Sequence, residues 1–250
     1  MKVLANDGLS KAGIERLQQA GHTVITDTVP QEQLAGYILA NDIAALIVRS
    51  ATQVRRDVID ACENLRVIAR AGVGMDNIDV EYARSQGRTV VNTPNASSVS
   101  VAELALGHML SVARALNDSN RQMPLEGDPR FAELKKQYSK GRELKGKTLG
   151  VIGFGRIGQA LAKDAIGIGM KVIFFDSFIT EPKTVELDFF DGQKATFTLA
   201  PSTFDQVLEQ SDFISLHVPS QAKPLIGKEE IARMKTGAVI INAARGGVVD

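Results

Sequence analysis

The chain has 250 residues, enough for one large domain or two ordinary ones. Its 29 basic and 29 acidic residues cancel, so no overall field favours nucleic acid or an anionic membrane. The single cysteine, Cys62, excludes an internal disulfide framework and favours a reducing compartment. No apolar run approaches the ~18 residues of a membrane span, and the first residues lack the apolar run of a signal peptide. We expect a cytoplasmic protein that binds small molecules, with no nucleic-acid partner, membrane or metal.

Short apolar runs alternate with amphipathic segments from the N-terminus onward. The first predicted strands are Lys2–Ala5, His22–Thr26, Ala44–Arg49, Arg66–Ala69 and Thr89–Asn92. The predicted helices between them are Lys11–Ala20, Gln31–Leu39, Arg55–Glu63 and Val80–Gln86. This alternation is typical of an α/β fold with a parallel sheet covered on both faces.

A second series of alternating elements begins at Lys147. Its predicted strands are Thr148–Ile152, Lys171–Phe175, Phe213–Val218 and Ala238–Ile241, and its predicted helices are Ile157–Ile166, Thr203–Gln210 and Lys228–Met234. We therefore predict two doubly wound parallel-sheet lobes, residues 1–98 and residues 99–250.

Three segments between or within these series have patterns of their own. A long helix is predicted over Val101–Leu116, with Ser100 and Glu103 at the spacing of a capping box. The polar segment Asp118–Gly146 predicts a linker with a short helix. Asp191-Gly192, between the apolar runs Val185–Phe190 and Ala195–Leu199, predicts a surface hairpin.

The sequence Gly153-Phe154-Gly155-Arg156-Ile157-Gly158 has the spacing of a dinucleotide-binding glycine turn. The spacing alone is weak evidence, but here it follows a predicted strand and opens a predicted helix. Gly153 would permit the tight turn, Gly155 the approach of the pyrophosphate, and Gly158 the packing of helix on strand. The phosphates would lie at the helix N-terminus, where Arg156 adds a charge-assisted contact.

Asp176 ends the strand that follows the glycine turn. An acid at this position accepts hydrogen bonds from the adenosine ribose hydroxyls and repels a 2′-phosphate. The sequence therefore predicts NAD, and not NADP, as the cofactor. The alternative is a glycine-rich turn in an α/β sheet without a ligand.

Several further motifs identify a family resemblance. They are Val48-Arg49-Ser50-Ala51-Thr52, Arg70-Ala71-Gly72-Val73-Gly74, Asp76-Asn77-Ile78-Asp79, Asn92-Thr93-Pro94-Asn95, Leu216-His217-Val218-Pro219 and the run from Asn242 to Asp250. With these motifs the chain resembles the D-2-hydroxyacid dehydrogenases over nearly its full length. The resemblance implies a flavodoxin-like substrate lobe, a Rossmann NAD-binding lobe, and a homodimer or homotetramer.

The resemblance also implies roles for individual residues. Arg245 would bind the substrate carboxylate and polarise the oxygen at C2, and a guanidinium suits this role because it binds carboxylates bidentately and keeps its charge. The implied substrate-binding residues are Arg49, Ser50, Arg70, Gly72, Val73 and Gly74. The implied cofactor-binding residues, besides the glycines of the turn and Arg245, are Val73, Arg156, Ile157, Asp176, His217, Val218, Pro219, Ala243 and Ala244.

The implied activity is NAD-dependent oxidation of D-3-phosphoglycerate to 3-phosphohydroxypyruvate, which opens serine biosynthesis. Arg49 and Arg70 point to this phosphorylated substrate. For Arg70, a purely structural role is the alternative. Two other functions stay open: a glyoxylate or hydroxypyruvate reductase, which has no phosphate to bind, and a non-catalytic NAD-binding module.

One part of the family pattern is absent. In the family a histidine base and its partner glutamate lie C-terminal to the arginine motif, within which this chain ends at Asp250. Of the three histidines, His22 and His108 are expected to be structural, and His217 is a poor candidate for the base. The sequence therefore predicts a shortened form or a fragment of a longer enzyme, with both lobes incomplete.

Overall fold

Two parallel sheets lie in two separate units of the computed structural model, which describes residues 1–250. The units are Met1–Ser97 and Ser98–Asp250, compared with the predicted division after residue 98. In each unit, short buried strands alternate with helices, so the predicted α/β class with doubly wound parallel sheets is confirmed.

The first unit contains five strands and four α-helices. In chain order they are β1 (Lys2–Ala5), α1 (Lys11–Gln19), β2 (Thr23–Ile25), α2 (Leu34–Ala40), β3 (Ala45–Val48), α3 (Arg56–Ala61), β4 (Val67–Arg70), α4 (Val80–Ser85) and β5 (Thr89–Asn92), with a 3₁₀ turn at Gln31–Gln33. All strands are parallel, in the order β2-β1-β3-β4-β5. This is the flavodoxin-like order, and its direction reverses between β1 and β3.

The second unit begins with three helices and then adopts a strand–helix alternation. Its elements are α5 (Ser98–Arg114), α6 (Leu116–Glu126), α7 (Phe131–Tyr138), β6 (Thr148–Ile152), α8 (Arg156–Gly167), β7 (Lys171–Phe175), β8 (Lys183–Asp188), β9 (Lys194–Leu199), α9 (Phe204–Gln210), β10 (Phe213–Leu216), α10 (Lys228–Arg233) and β11 (Val239–Asn242). The parallel sheet has the order β11-β10-β6-β7, so its order reverses between β6 and β10.

Apolar side chains from both faces of this second sheet form two clusters. One packs α5 and α8 against the sheet and includes Met109, Leu161 and Phe174. The other lies under α9 and includes Leu208 and Ile214. Because both faces are covered, β10 is buried along its whole length. The carboxyl ends of β6 and β10 are therefore held rigidly beside each other.

The structure corrects two predictions about residues 98–146. Helix α5 begins at Ser98, so Ser100 and Glu103 lie inside the helix and the predicted capping box is wrong. Residues 118–146 hold most of α6 and all of α7 instead of a linker with one short helix. Pro124 lies inside α6, where proline is unfavourable, which is why the sequence favoured a loop.

The predicted hairpin is present as the antiparallel pair β8 and β9, which forms a sheet of its own. Val185 on β8 is buried in the cluster that contains α5 and α8, so this side chain anchors the hairpin.

No single helix in the structure has the length and apolar character needed to cross a membrane. The bent pair α5 and α6, at 56° to each other, passes the same test by length and composition.

Candidate functional site

The glycine turn of the second unit lies where the order of the sheet reverses, the usual ligand-binding position in open α/β sheets. Gly153 follows β6 with φ +92°, a conformation that side chains rarely adopt. A Cβ atom at Gly153 would lie 2.7 Å from the carbonyl oxygen of His217. Only glycine fits here, because the turn crosses directly over the end of β10.

The other two glycines of the motif have different surroundings. A Cβ atom at Gly158 would lie 2.3 Å from the carbonyl oxygen of Gly153, so Gly158 allows α8 to pack closely on the turn. At Gly155 a Cβ atom would meet nothing within 4 Å. Gly155 is the N-cap of α8 and no side chain caps this helix end, so its first N–H groups are available to an anion. Arg156, the next residue, is exposed beside them.

The backbone N–H of Phe154 donates a hydrogen bond of 2.7 Å to Oδ2 of Asp176. The Phe154 ring is fully buried and stacks on Phe174 with 3.9 Å between ring centroids. The core therefore holds the side chain of Phe154, and Asp176 holds its backbone N–H. Sequence reasoning missed this role of Phe154, although an aromatic residue among glycines is a detectable signal.

Asp176 accepts a second hydrogen bond, of 2.9 Å, at Oδ1 from the N–H of Phe178. Each carboxylate oxygen has two acceptor positions, so both oxygens keep capacity for a ribose hydroxyl. The acid that the sequence assigned to cofactor recognition thus also closes the turn between β7 and the next segment.

A cleft of about 470 Å³ opens beside these residues. Six of the predicted cofactor-binding residues line it: Gly153, Gly155, Asp176, His217, Val218 and Pro219. The structure adds Ile152, Phe175, Ser177, Phe178, Gln221 and Leu225, which the sequence did not single out. Phe178 is 93% exposed, so its ring is free to cover a flat ligand in this cleft.

His217 is part of the cleft wall, and burial lowers its pKa to about 4. The imidazole is therefore neutral at physiological pH. Its Nε2 lies 2.9 Å from the hydroxyl oxygen of Ser215, while its Nδ1 is buried without a hydrogen-bond partner. An unsatisfied buried nitrogen is costly.

These observations test whether NAD fits the cleft. The uncapped α8 N-terminus suits a pyrophosphate, the Asp176 carboxylate suits a ribose diol, and the mostly apolar wall suits an adenine. The residues present therefore match the adenine, the adenosine ribose and the pyrophosphate of NAD.

The predicted residues Arg156, Ile157, Gly158, Ala243, Ala244 and Arg245 do not line this cleft. Arg245 is half-buried in the loop after β11, and its Nη1 donates to the carbonyl oxygen of Ala244 at 3.0 Å. Asn242 fixes the loop, since its amide donates to the Arg245 carbonyl oxygen and accepts from the Ala244 N–H. The sequence alone assigns no role to Asn242.

Several predicted substrate residues come together in the first unit. Ser50, Arg70 and Gly74 line a polar cleft of about 260 Å³ with Gln53, Arg55, Asp76 and Asn77. The Arg70 guanidinium lies against Gly72, where a Cβ atom would be 2.9 Å from its Nη1. Asn92 donates to the carbonyl oxygen of Val73 at 2.7 Å and so holds the glycine loop. Arg49, Gly72 and Val73 are not among the residues that line this cleft.

The chain is similar in sequence to a protein family and to named enzymes. Residues 106–250 match the family model described as the D-isomer specific 2-hydroxyacid dehydrogenase NAD binding domain. The whole chain is 42% identical to D-3-phosphoglycerate dehydrogenase of Methanocaldococcus jannaschii, of which it spans 45%. It is also 42% identical to hydroxypyruvate reductase of Thermotoga maritima, of which it spans 76%.

Among solved structures, the whole chain matches the NAD⁺-bound 3-phosphoglycerate dehydrogenase of Entamoeba histolytica with a TM-score of 0.75 and 31% identity, covering 74% of that chain. All of the chain aligns with each of these relatives. It spans less than half of the length of the M. jannaschii protein.

Proposed function

Because the chain belongs to the D-isomer specific 2-hydroxyacid dehydrogenase family, we propose that the protein oxidises the C2 hydroxyl of a D-2-hydroxy acid with NAD. The observation that carries this proposal is the cleft in which the uncapped N-terminus of α8, the Asp176 carboxylate and neutral His217 meet at the reversal of the sheet order.

In this proposal the glycine turn and Arg156 hold the pyrophosphate, and Asp176 holds the adenosine ribose. His217, Val218 and Pro219 form the wall of the adenosine site. Ile157, Gly158, Val73, Ala243 and Ala244 complete the predicted set of cofactor-binding residues. Bound NAD supplies the hydride acceptor of the reaction.

Arg245 is assigned to the substrate carboxylate and to the oxygen at C2. A guanidinium suits this role because it presents several N–H donors in one plane and stays charged throughout the reaction. In the structure Asn242 fixes the backbone of Arg245, which restricts where the side chain can reach. Arg245→Lys would keep the charge but lose the planar fork, so kcat/KM should fall by about 10- to 100-fold.

D-3-phosphoglycerate is the substrate that we favour, with 3-phosphohydroxypyruvate as its product and serine biosynthesis as the pathway. Arg49 and Arg70 are assigned to the anionic groups of the substrate, together with Ser50 and the loop from Gly72 to Gly74. Support comes from the polar cleft in the first unit and from the name of the M. jannaschii relative.

Hydroxypyruvate reduction is the second candidate, because the T. maritima relative has the same identity to the chain. Hydroxypyruvate has no phosphate, so only the first candidate requires an arginine for one. We expect Arg49→Ala to raise the KM for 3-phosphoglycerate by about 10-fold or more and to leave the KM for hydroxypyruvate nearly unchanged. If hydroxypyruvate has the higher kcat/KM and Arg49→Ala affects both substrates equally, the reductase is the better assignment.

Assembly into a homodimer or homotetramer through the second unit is part of the same proposal. Large apolar side chains are exposed along the first three helices of this unit: Val99, Leu104, Leu110, Val112, Leu116, Leu125 and Phe131. Exposed apolar surface of this extent is typical of an interface. Light scattering should give at least twice the mass of one chain, and a monomer at micromolar concentration would exclude this assembly. We also infer a cytoplasmic location, for which the single buried free cysteine gives support.

A further inference from the structure

The loop from Arg49 to Thr52 lies where the sheet order of the first unit reverses, between the carboxyl ends of β1 and β3. Asp7 follows β1 and binds this loop through both carboxylate oxygens. Its Oδ2 accepts from the N–H of Arg49 at 2.6 Å and from the N–H of Thr52 at 3.2 Å, and its Oδ1 accepts from the Thr52 hydroxyl at 2.5 Å. One carboxylate thus holds both ends of the loop.

Asn77 binds the same two residues through their carbonyl groups. Its side-chain amide donates to the carbonyl oxygen of Arg49 at 2.9 Å and to that of Thr52 at 2.6 Å. Asp7 and Asn77 together therefore satisfy the N–H and the C=O of both residues. Such pairing of the backbone at both ends of the loop restricts its conformation.

The loop is also anchored in the core of the unit. The Asn6 side-chain amide donates to the Thr52 hydroxyl oxygen at 2.8 Å and exchanges two hydrogen bonds with the backbone of Val29. Asn6 and Thr52 are 3% and 4% exposed. Buried, fully satisfied polar networks of this kind are rigid.

Asp7 forms no ion pair, so its charge is balanced by N–H and O–H donors of the loop. Burial alone would raise the pKa of Asp7. The hydrogen bonds from the Thr52 side chain and from the backbone of Arg49, Thr52 and Ala51 outweigh burial and lower it. The carboxylate stays ionised and keeps its acceptor geometry.

The backbone of Arg49 is held by hydrogen bonds, but its side chain is not. It is exposed and has no hydrogen-bond or ion-pair partner, whereas Arg55 nearby donates to Asp79, Gln53 and the Asp76 carbonyl oxygen. A cation on a fixed backbone with an uncommitted guanidinium is pre-organised for an anion, since little backbone entropy is lost on binding.

We propose that Asp7 and Asn77 are positioning residues that hold residues 49–52 so that the Arg49 guanidinium is presented to an anionic group of the substrate. This inference rests on the proposed function for the identity of the anion, but the clamp on the loop is testable by itself.

The clamp is tested by amide hydrogen exchange in the protein. We expect Asp7→Ala to accelerate exchange at Arg49 and Thr52 by about 10- to 100-fold, the range for hydrogen bonds to a charged group. Asp27→Ala is the matched control, because Asp27 is an exposed carboxylate of the same unit that accepts from the Tyr37 hydroxyl and does not bind the loop. If Asp7→Ala does not fold, Thr52→Val removes the hydrogen bonds of the hydroxyl group to Asp7 and from Asn6, keeps those of the loop backbone to Asp7, and should accelerate exchange to a smaller extent. Unchanged exchange in the folded variants would overturn the clamp.

The positioning role is tested by a double-mutant cycle on the KM for 3-phosphoglycerate. We expect Asp7→Ala to raise this KM by about 10-fold with kcat and the Kd for NAD little changed, and to have no further effect in the Arg49→Ala background. An equal effect in both backgrounds would overturn positioning through Arg49. If Arg49→Ala leaves the KM unchanged while exchange still responds to Asp7→Ala, the substrate role of Arg49 fails and the clamp stands.

Discussion

The carboxylate of Asp176 accepts a hydrogen bond of 2.7 Å from the backbone N–H of Phe154, the central residue of the glycine turn. The residue assigned to the cofactor ribose therefore also supports the turn assigned to the cofactor phosphates. Replacing Asp176 to change the preference between NAD and NADP would therefore disturb ribose binding and the conformation of the glycine turn at once.

We predict that Asp176→Ala weakens NAD binding by about 10- to 100-fold, since hydrogen bonds to a charged group are lost on the ribose side and on the turn side. The same substitution should lower Tm by several degrees, because the Phe154 N–H loses its partner. Isothermal titration calorimetry and calorimetric melting measure the two effects.

The control for this prediction is Asp191→Ala in the hairpin. Asp191 also accepts a hydrogen bond from a backbone N–H two residues onward, at Gln193, but it lies outside the cleft. The control should bind NAD like the wild type. If Asp176→Ala weakened NAD binding without any change in Tm, Asp176 would not support the turn.

Gly153 offers a second test of the turn. Gly153→Ala introduces a Cβ atom 2.7 Å from the His217 carbonyl oxygen at φ +92°. Gly192→Ala has nearly the same φ, +82°, but nothing within 4 Å of the new Cβ atom. The left-handed backbone conformation should reduce the free energy of unfolding of both variants by roughly 1–2 kcal/mol. The Gly153 variant should lose about 1–3 kcal/mol more through overpacking.

Urea unfolding of both variants measures this difference. Equal losses of unfolding free energy would mean that the turn does not press on the end of β10. The Gly153 variant should also lose NAD binding, whereas the Gly192 variant should retain it.

The sequence could predict the glycine turn because the motif reflects a left-handed backbone at Gly153 and close packing of the helix at Gly158. It could not predict the hydrogen bond between Asp176 and Phe154, because the two residues approach only when β6 and β7 pair. The same holds for Asp7 and Asn77, which reach one loop from the segments that follow β1 and β4. Local patterns report strands and turns, and contacts across a sheet depend on the order of its strands.

His217 predicts a pH dependence of stability. Burial lowers its pKa from 6.5 to about 4 in the folded protein, so between these values the unfolded chain binds a proton that the folded protein does not. The free energy of unfolding should therefore fall as pH decreases through this interval. His217→Gln removes the titrating group, and its Tm should fall less over the same interval than that of the wild type.

His108→Gln is the control, because His108 is exposed on α5. This variant should keep the wild-type dependence of Tm on pH. If His217→Gln behaves in the same way as His108→Gln, the imidazole of His217 is not desolvated in the folded protein.

The hairpin β8–β9 gives a prediction about stability alone. Val185 is 1% exposed in the core, whereas Phe190 near the hairpin turn is fully exposed. Val185→Ala should reduce the free energy of unfolding by about 1–3 kcal/mol through the cavity that it leaves. Phe190→Ser should change it by less than ~0.5 kcal/mol. Chemical denaturation measures both, and equal effects would mean that Val185 does not anchor the hairpin.

The fold was predictable in its periodic parts and less so where helices follow one another. Strands such as Thr148–Ile152 and Thr89–Asn92 have the predicted bounds, because apolar runs in a doubly covered sheet are short and continuous. The helix over Leu116–Glu126 was missed, since Pro124 and a polar composition mask it. It contacts α5 and α7 but has no buried residue, so it lacks the buried apolar face by which a helix is recognised in a sequence.

The most direct test of the account is the cofactor preference of the protein, measured by isothermal titration calorimetry with NAD and with NADP. We predict that NAD binds at one site per chain with a Kd at least about 10-fold lower than that of NADP, because the Asp176 carboxylate accepts from a ribose hydroxyl and repels a 2′-phosphate. Equal affinity for the two dinucleotides, or no binding of NAD, would contradict it.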